Sequence, residues 1–223
     1  MFPVGDSEVR GAGPGIVNIA LIVINTLVFI FQALMPPDAA QNFVNTWGVI
    51  PVEILKGQDM ITLLTSMFLH GGWLHLIGNM LFLWVFGDNV EAVLGSPFYL
   101  AFYLAGGLAA SAAHIMLNTT STIPSVGASG AIAAVLGAYI VMFPHSKVRV
   151  LMLLGGRAGI TRVGALIFLG IWFVTQLFSG IAGLVETAQT SGVAFWAHIG
   201  GFIFGVVVGF LLRSRTRSLA LTE

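Results

Sequence analysis

The 223-residue chain contains no cysteine, which excludes disulfides, thiolate metal sites and a cysteine nucleophile and leaves its redox compartment open. Charge is scarce as well: Asp, Glu, Lys and Arg make up 8% of the residues, against roughly 25% in soluble globular domains. Nine Lys and Arg offset nine Asp and Glu, so there is no basic surplus for binding nucleic acid. Disorder is excluded by the same figures, because 57% of the residues are hydrophobic and mean hydropathy is +0.96. What remains is a protein whose solvent is the lipid bilayer.

A helix needs about 20 apolar residues to cross the hydrocarbon, and six stretches qualify or come close. They run from Ile16 to Met35, Gly72 to Val93, Pro97 to Leu117, Gly127 to Phe143, Gly164 to Val185 and Phe195 to Leu212. The expected architecture is an all-α membrane protein. Residues 1–15 form a short cytoplasmic segment, 16–212 the six-span domain and 213–223 a basic cytoplasmic tail. Lys and Arg near span ends favour the cytoplasmic side. With both termini inside, Arg10, Lys147, Arg149, Arg157, Arg162, Arg213, Arg215 and Arg217 are cytoplasmic and only Lys56 is outside. The first dozen residues are too short and too acidic for a signal or transit peptide.

Two connections are long. Pro36 to His70 mixes Phe43, Trp47, Ile50, Ile54 and Leu55 with Asp38, Asn42, Glu53 and Lys56. It reads as short helices lying in the outer interface, with Trp47 at headgroup level. Pro144 to Val163 is basic and reads as a cytoplasmic link.

Strongly polar residues inside spans need a partner or a purpose. Span two carries His75 and Asn79 on one helical face, with His70 just before it. Span four opens with Gly127-Ala128-Ser129-Gly130, and span six holds Ala197-His198-Ile199-Gly200-Gly201. In this topology spans two, four and six all run from outside to inside, so Ser129, His198, His75 and Asn79 share a depth in the outer leaflet. Gly201, Gly205 and Gly209 form a small-residue face on span six, and Gly130, Ala134 and Gly137 a comparable one on span four. If these faces meet, Ser129 and His198 lie at the same end of the contact, as a nucleophile and its base must. Each feature also has a plainer reading: a packing serine, a packing face, an interhelical clasp of His75 and Asn79. Asp88 and Glu91 read as structural carboxylates at the inner end of span two. Other chemistries fail on residue type. There is no His-Glu-x-x-His helix, and none of Asp6, Asp38, Asp59 and Asp88 lies mid-span to form a carboxylate pair.

Together these motifs resemble the rhomboid family of intramembrane serine proteases in its six-span bacterial form, over about Phe43 to Gly209. The resembling residues are His70-Gly-Gly-Trp-Leu-His75-Leu-Ile-Gly-Asn79, the Gly127-Ala-Ser129-Gly130 sequence, and Ala197-His198-x-x-Gly201-x-x-x-Gly205. The resemblance implies a bundle with a partly membrane-embedded first loop, Ser129 as nucleophile and His198 as general base. It implies an oxyanion site from Asn79, His75 and the Ser129 backbone, with His70, Gly127, Gly130, Gly201 and Gly205 in support. Transmembrane proteins are the implied substrates, and no cofactor or metal is required. The implied location is a cell membrane, the bacterial inner membrane, with access to the site through a cavity beneath the outer loop Glu186 to Ala194. The sequence departs from the family in two places. Ala133 stands where many members have an aromatic residue on which the histidine stacks, so His198 needs another support. Gly48 follows Trp47 where many members have arginine. Span five carries Trp172, Phe173, Gln176 and Phe178, and the resemblance places it beside the route by which a substrate enters.

Overall fold

Proline and glycine punctuate the helices of this chain, and their positions explain most element boundaries in the computed structural model, which describes residues 2–6, 15–154, 157–185 and 194–216. Helix α1, Ile16–Ala33, stops before Pro36-Pro37. Pro37 then opens α2 (Pro37–Trp47) and Pro51 opens α3 (Pro51–Leu55), both at the first helical turn, where a missing N–H costs nothing. After α4 (Thr62–Thr65) and a single 3₁₀ turn at Ser66–Phe68, the chain enters α5, Trp73–Leu94. Gly95, at φ 76°, ends α5 and turns the chain into α6, Ser96–Leu117, whose second residue is Pro97. Helix α7 covers Ser129–Met142, α8 Ala165–Val185 and α9 Phe195–Leu212.

Among the described residues, α1, α5, α6 and α9 have the length and hydropathy to cross a bilayer. Helix α7 has only 14 residues, and it is buried continuously from Gly130 to Tyr139. A helix surrounded by protein is shielded from lipid along its whole length, which is why the shortest of the apolar stretches forms the centre of the bundle. Outward-facing positions are the apolar ones: Leu27, Phe31, Trp84, Phe98, Ile171 and Leu211 are all more than half exposed. This inversion of the soluble pattern is that of a protein built for lipid. The long first connection consists of short helices, as its composition predicts.

The expectation of an all-α chain is corrected by a three-stranded antiparallel sheet in the order β1-β2-β3. Strand β1 is Phe2–Gly5, β2 is Lys147–Leu154 and β3 is Arg157–Gly164, so the basic link 144–163 is largely a β-hairpin. Its alternation accounts for it: Val148 and Val150 are buried, while Lys147 and Arg149, which alternate with them, are exposed. Strand β1 pairs with the free edge of β2, Phe2 opposite Leu151, and satisfies backbone groups that would otherwise be open. Asp6, just after β1, accepts hydrogen bonds from Asn89 at 2.9 Å and from the Tyr139 hydroxyl. The sheet is thereby tied to the end of α7 opposite Ser129. Arg10, the outer loop 186–193 and the tail from Arg217 onward lie outside the described residues.

Helix α1 is held by polar contacts that the apolar pattern conceals. The Glu91 carboxylate accepts the Val17 and Asn18 backbone N–H groups at 3.0 and 2.8 Å and the Ser96 hydroxyl at 2.6 Å. It therefore caps a helix 73 residues away in sequence. This bears out the reading of Glu91 as structural.

The tightest packing joins α7 and α9. A Cβ added at Gly201 would overlap the Gly130 carbonyl oxygen, one at Gly205 the Ala134 carbonyl oxygen, and one at Gly137 the Phe202 carbonyl oxygen. Rigid backbone cannot yield as a flexible side chain can. Gly205→Leu should therefore lower stability in detergent by about 3 kcal/mol or more, seen as a loss of melting temperature or of folded protein. Gly170→Ala on α8, where nothing lies within 4 Å of the new Cβ, should leave stability unchanged or raise it by up to about 1 kcal/mol. Equal melting of the two variants would contradict this account of the contact.

Candidate active site

Ser129 is the first residue of α7, and its backbone N–H belongs to a first turn whose amides have no intrahelical acceptor. The turn before it is forced by Gly127, at φ 129°. A side chain here would be strained, and its Cβ would lie 2.8 Å from the His75 ring. The segment is also fixed from outside. The Gly127 N–H donates to the Ser66 carbonyl at 2.9 Å, and Val49 and Ser125 exchange backbone hydrogen bonds at 3.0 and 2.8 Å. The first loop thus braces the approach to α7.

Because the small faces of α7 and α9 let their backbones touch, His198 on α9 reaches Ser129: Nε2 is 2.7 Å from the Ser129 Oγ. The other nitrogen, Nδ1, is 2.7 Å from the Gln176 Oε1 on α8. Trp172, one turn earlier on α8, sets its ring 6.0 Å from the imidazole, and Phe195 lies edge-on at 6.5 Å. These contacts supply the support that Ala133 does not. The sequence names Trp172 and Gln176 but assigns neither a contact.

His75 and Asn79 project from α5 toward the same place. The Gly71 backbone N–H donates to His75 Nδ1 at 3.3 Å, which leaves Nε2 as the protonated nitrogen of a neutral ring. Both His75 Nε2 and Asn79 Nδ2 lie beside Gly127, two residues before Ser129. Among the described residues, buried Asn79 Nδ2 has no hydrogen-bond partner, which is costly unless something else uses the donor. A cavity of about 800 Å³ joins these groups, and Ser129, His198, His75, Asn79 and Gly127 all line it. His114, near the end of α6, lines it too. Ala194 is on its wall, next to the outer loop that lies outside the described residues.

His70 stands apart. It is fully buried, lies edge-on to His75 at 5.2 Å and to Phe29 at 6.2 Å, and among the described residues neither ring nitrogen has a hydrogen-bond partner. Its backbone is held by Gln32 of α1, whose amide donates to the His70 carbonyl at 2.8 Å and accepts its N–H at 3.4 Å. The arrangement packs the turn into α5 and places the His75 ring.

The chain belongs to the rhomboid family: the Rhomboid domain model matches residues 57–215. Among similar proteins, "Rhomboid protease GluP" of Bacillus subtilis is 36% identical over 184 residues, which cover 82% of this chain and 32% of that protein. "Rhomboid protein 1, mitochondrial" of Saccharomyces cerevisiae is 28% identical over 176 residues, 74% of this chain and 47% of the relative. "Presenilin-associated rhomboid-like protein A, mitochondrial" of Danio rerio is 33% identical over 150 residues, 66% and 36% of the two chains. The matched region thus spans a third to a half of these curated relatives.

Burial, with the neighbouring His75 ring, pushes His70 down from 6.5 to about 4. Between these values the unfolded chain binds a proton that the folded protein refuses, so stability falls as pH drops from about 6.5 toward 4. The slope due to this group is at most about 1.4 kcal/mol per pH unit. Melting curves in detergent at pH 7 and pH 5 should show a smaller pH dependence for His70→Gln than for wild type. An unchanged dependence would mean that His70 takes up its proton in the folded protein as readily as in the unfolded chain.

Proposed function

We propose that this protein is an intramembrane serine endopeptidase that cuts the membrane-spanning segments of other proteins near their extracytoplasmic ends. The observation that carries the reading is the 2.7 Å contact between Ser129 Oγ and His198 Nε2, at the wall of a cavity also lined by Asn79, whose Nδ2 has no partner among the described residues. A similar protein, GluP, is named as a rhomboid protease. In this reading residues 16–212 form a six-span domain, the termini face the cytoplasm and the cavity opens outward. The membrane is the plasma membrane of a bacterial cell.

The chemistry follows from the positions. Ser129 Oγ attacks the scissile carbonyl carbon while His198 Nε2 takes its proton. Negative charge builds on the carbonyl oxygen, which accepts hydrogen bonds from the Ser129 N–H, Asn79 Nδ2 and His75 Nε2. The α7 dipole favours that charge at its N-terminus. Collapse of the tetrahedral adduct breaks the C–N bond, and His198 returns the proton to the leaving amine. Water then attacks the acyl-serine, with His198 again as base, and releases the new carboxylate. No metal or cofactor enters any step. A helical substrate hides its carbonyls in hydrogen bonds, so the segment cut must unwind locally, and small or helix-breaking residues near the scissile bond favour this.

The test is cleavage of single-span membrane proteins co-reconstituted with this protein in liposomes. Ser129→Ala and His198→Ala should each abolish cleavage while melting as wild type. Asn79→Ala should slow it by about 10²-fold without abolishing it, because two donors remain. Cleavage that survives in folded Ser129→Ala or His198→Ala would remove the assignment. Transport of a solute, or capture of helices without cleavage, would replace it with a polar-path or scaffold function.

A further inference from the structure

The imidazole of His198 receives its second hydrogen-bond partner from a helix that carries none of the recognisable motifs. Gln176 lies on α8, and its Oε1 is 2.7 Å from His198 Nδ1. The direction of that bond is set by what lies behind it. The Thr175 hydroxyl donates to the Trp172 carbonyl oxygen at 2.6 Å, so its only proton is committed and its oxygen is left to accept. Gln176 Nε2 donates to that oxygen over a longer 3.4 Å. The amide therefore turns its carbonyl toward His198, and an acceptor there demands a proton on Nδ1. A neutral ring protonated at Nδ1 has its lone pair on Nε2. That is the nitrogen facing Ser129 at 2.7 Å. Reversing the amide would place the ring proton on Nε2, and His198 would have no lone pair with which to accept from serine.

We propose that Gln176 is a positioning residue of the site: it holds His198 in the Nδ1-protonated tautomer and steadies the imidazolium formed when the ring takes the Ser129 proton. The proposal rests on the reading of Ser129 and His198 as nucleophile and base. Gln176 fills the orienting place that a carboxylate holds in a three-membered serine site, with a neutral carbonyl dipole in a membrane-embedded protein where an unpaired charge is costly. The same helix contributes Trp172 against the ring, 6.0 Å between centroids. Orientation of the base is thus assigned to α8, whereas α7 itself offers only the methyl group of Ala133 at the position one turn after the serine.

The test compares Gln176→Leu, which keeps the bulk and removes the acceptor, with Gln176→Glu, which keeps an accepting oxygen in either protonation state. Thr175→Val releases the amide orientation from one step further away. Two readouts apply to the full-length protein in detergent micelles: the rate of modification by a fluorophosphonate probe, and ¹⁵N NMR of ring-labelled histidine, with His198→Ala to assign the signal. Thermal melting confirms that each variant is folded. Wild type should show His198 protonated at Nδ1. Gln176→Leu should mix the tautomers and react about tenfold more slowly, the worth of one hydrogen bond. Gln176→Glu should recover the rate to within about threefold of wild type, and Thr175→Val should lose about threefold. Wild-type reactivity in Gln176→Leu, no recovery in folded Gln176→Glu, or an Nε2-protonated His198 in wild type would overturn the proposal. If folded wild type does not react at all, the nucleophile reading falls and the NMR alone decides Gln176. Loss of the Nδ1–H signature in Gln176→Leu then supports its positioning role, and an unchanged signature overturns it.

Discussion

The backbone contact between α7 and α9 is the constraint on which the rest of the structure depends. Lipid removes most of the hydrophobic drive for helices to associate, so close approach has to come from small residues and dispersion. Gly130, Ala134 and Gly137 on α7 meet Gly201, Gly205 and the Phe202 carbonyl on α9 with no room for another carbon. Ser129 precedes Gly130 by one residue, and His198 precedes Gly201 by three. The 2.7 Å between their side chains is therefore set by a contact that extends two turns below them. A helix pair held apart by larger residues would leave the two groups beyond hydrogen-bond reach.

Around that pair the other elements divide the work of positioning. Helix α5 brings His75 and Asn79, and its opposite end carries Glu91, which caps α1. Helix α1 in turn reaches back through Gln32 to brace His70, so the two ends of α5 are coupled through α1. The first loop anchors Gly127 through Ser66, and the sheet closes the far end of α7 through Asp6 and Tyr139. Helix α8 packs Ala165, Phe168 and Leu169 into the core and supplies the second partner of His198.

Much of this was legible in the sequence, and the reasons for the rest are physical. Apolar run length located the helices well; α9 spans Phe195–Leu212 in both readings. Shared depth and small-residue spacing correctly brought Ser129, His198, His75 and Asn79 into one neighbourhood, although spacing says nothing of the roles they play. Lys147, Arg149 and Arg162 read equally as cytoplasmic charges of a membrane topology, and that signal masks the hairpin. The alternation of Val148 and Val150, followed in the sequence by a Gly-Gly pair, is a hairpin signal in its own right. Asn18, Asn25 and Gln32 interrupt an otherwise apolar span. Their spacing of seven residues marks one buried face and is readable without a structure. The Gln176 contact has no such local signature. It joins residues 22 apart in sequence, on helices whose relative rotation no periodicity reveals.

The central claim is that one serine of this membrane protein is made nucleophilic by one histidine. The most direct measurement is peptide mapping by mass spectrometry after treatment of folded protein with a fluorophosphonate. A single phosphonylated residue, Ser129, whose modification disappears in folded His198→Ala, is the result the account predicts. Modification at a different serine, or equal modification of Ser129 with and without His198, would contradict it.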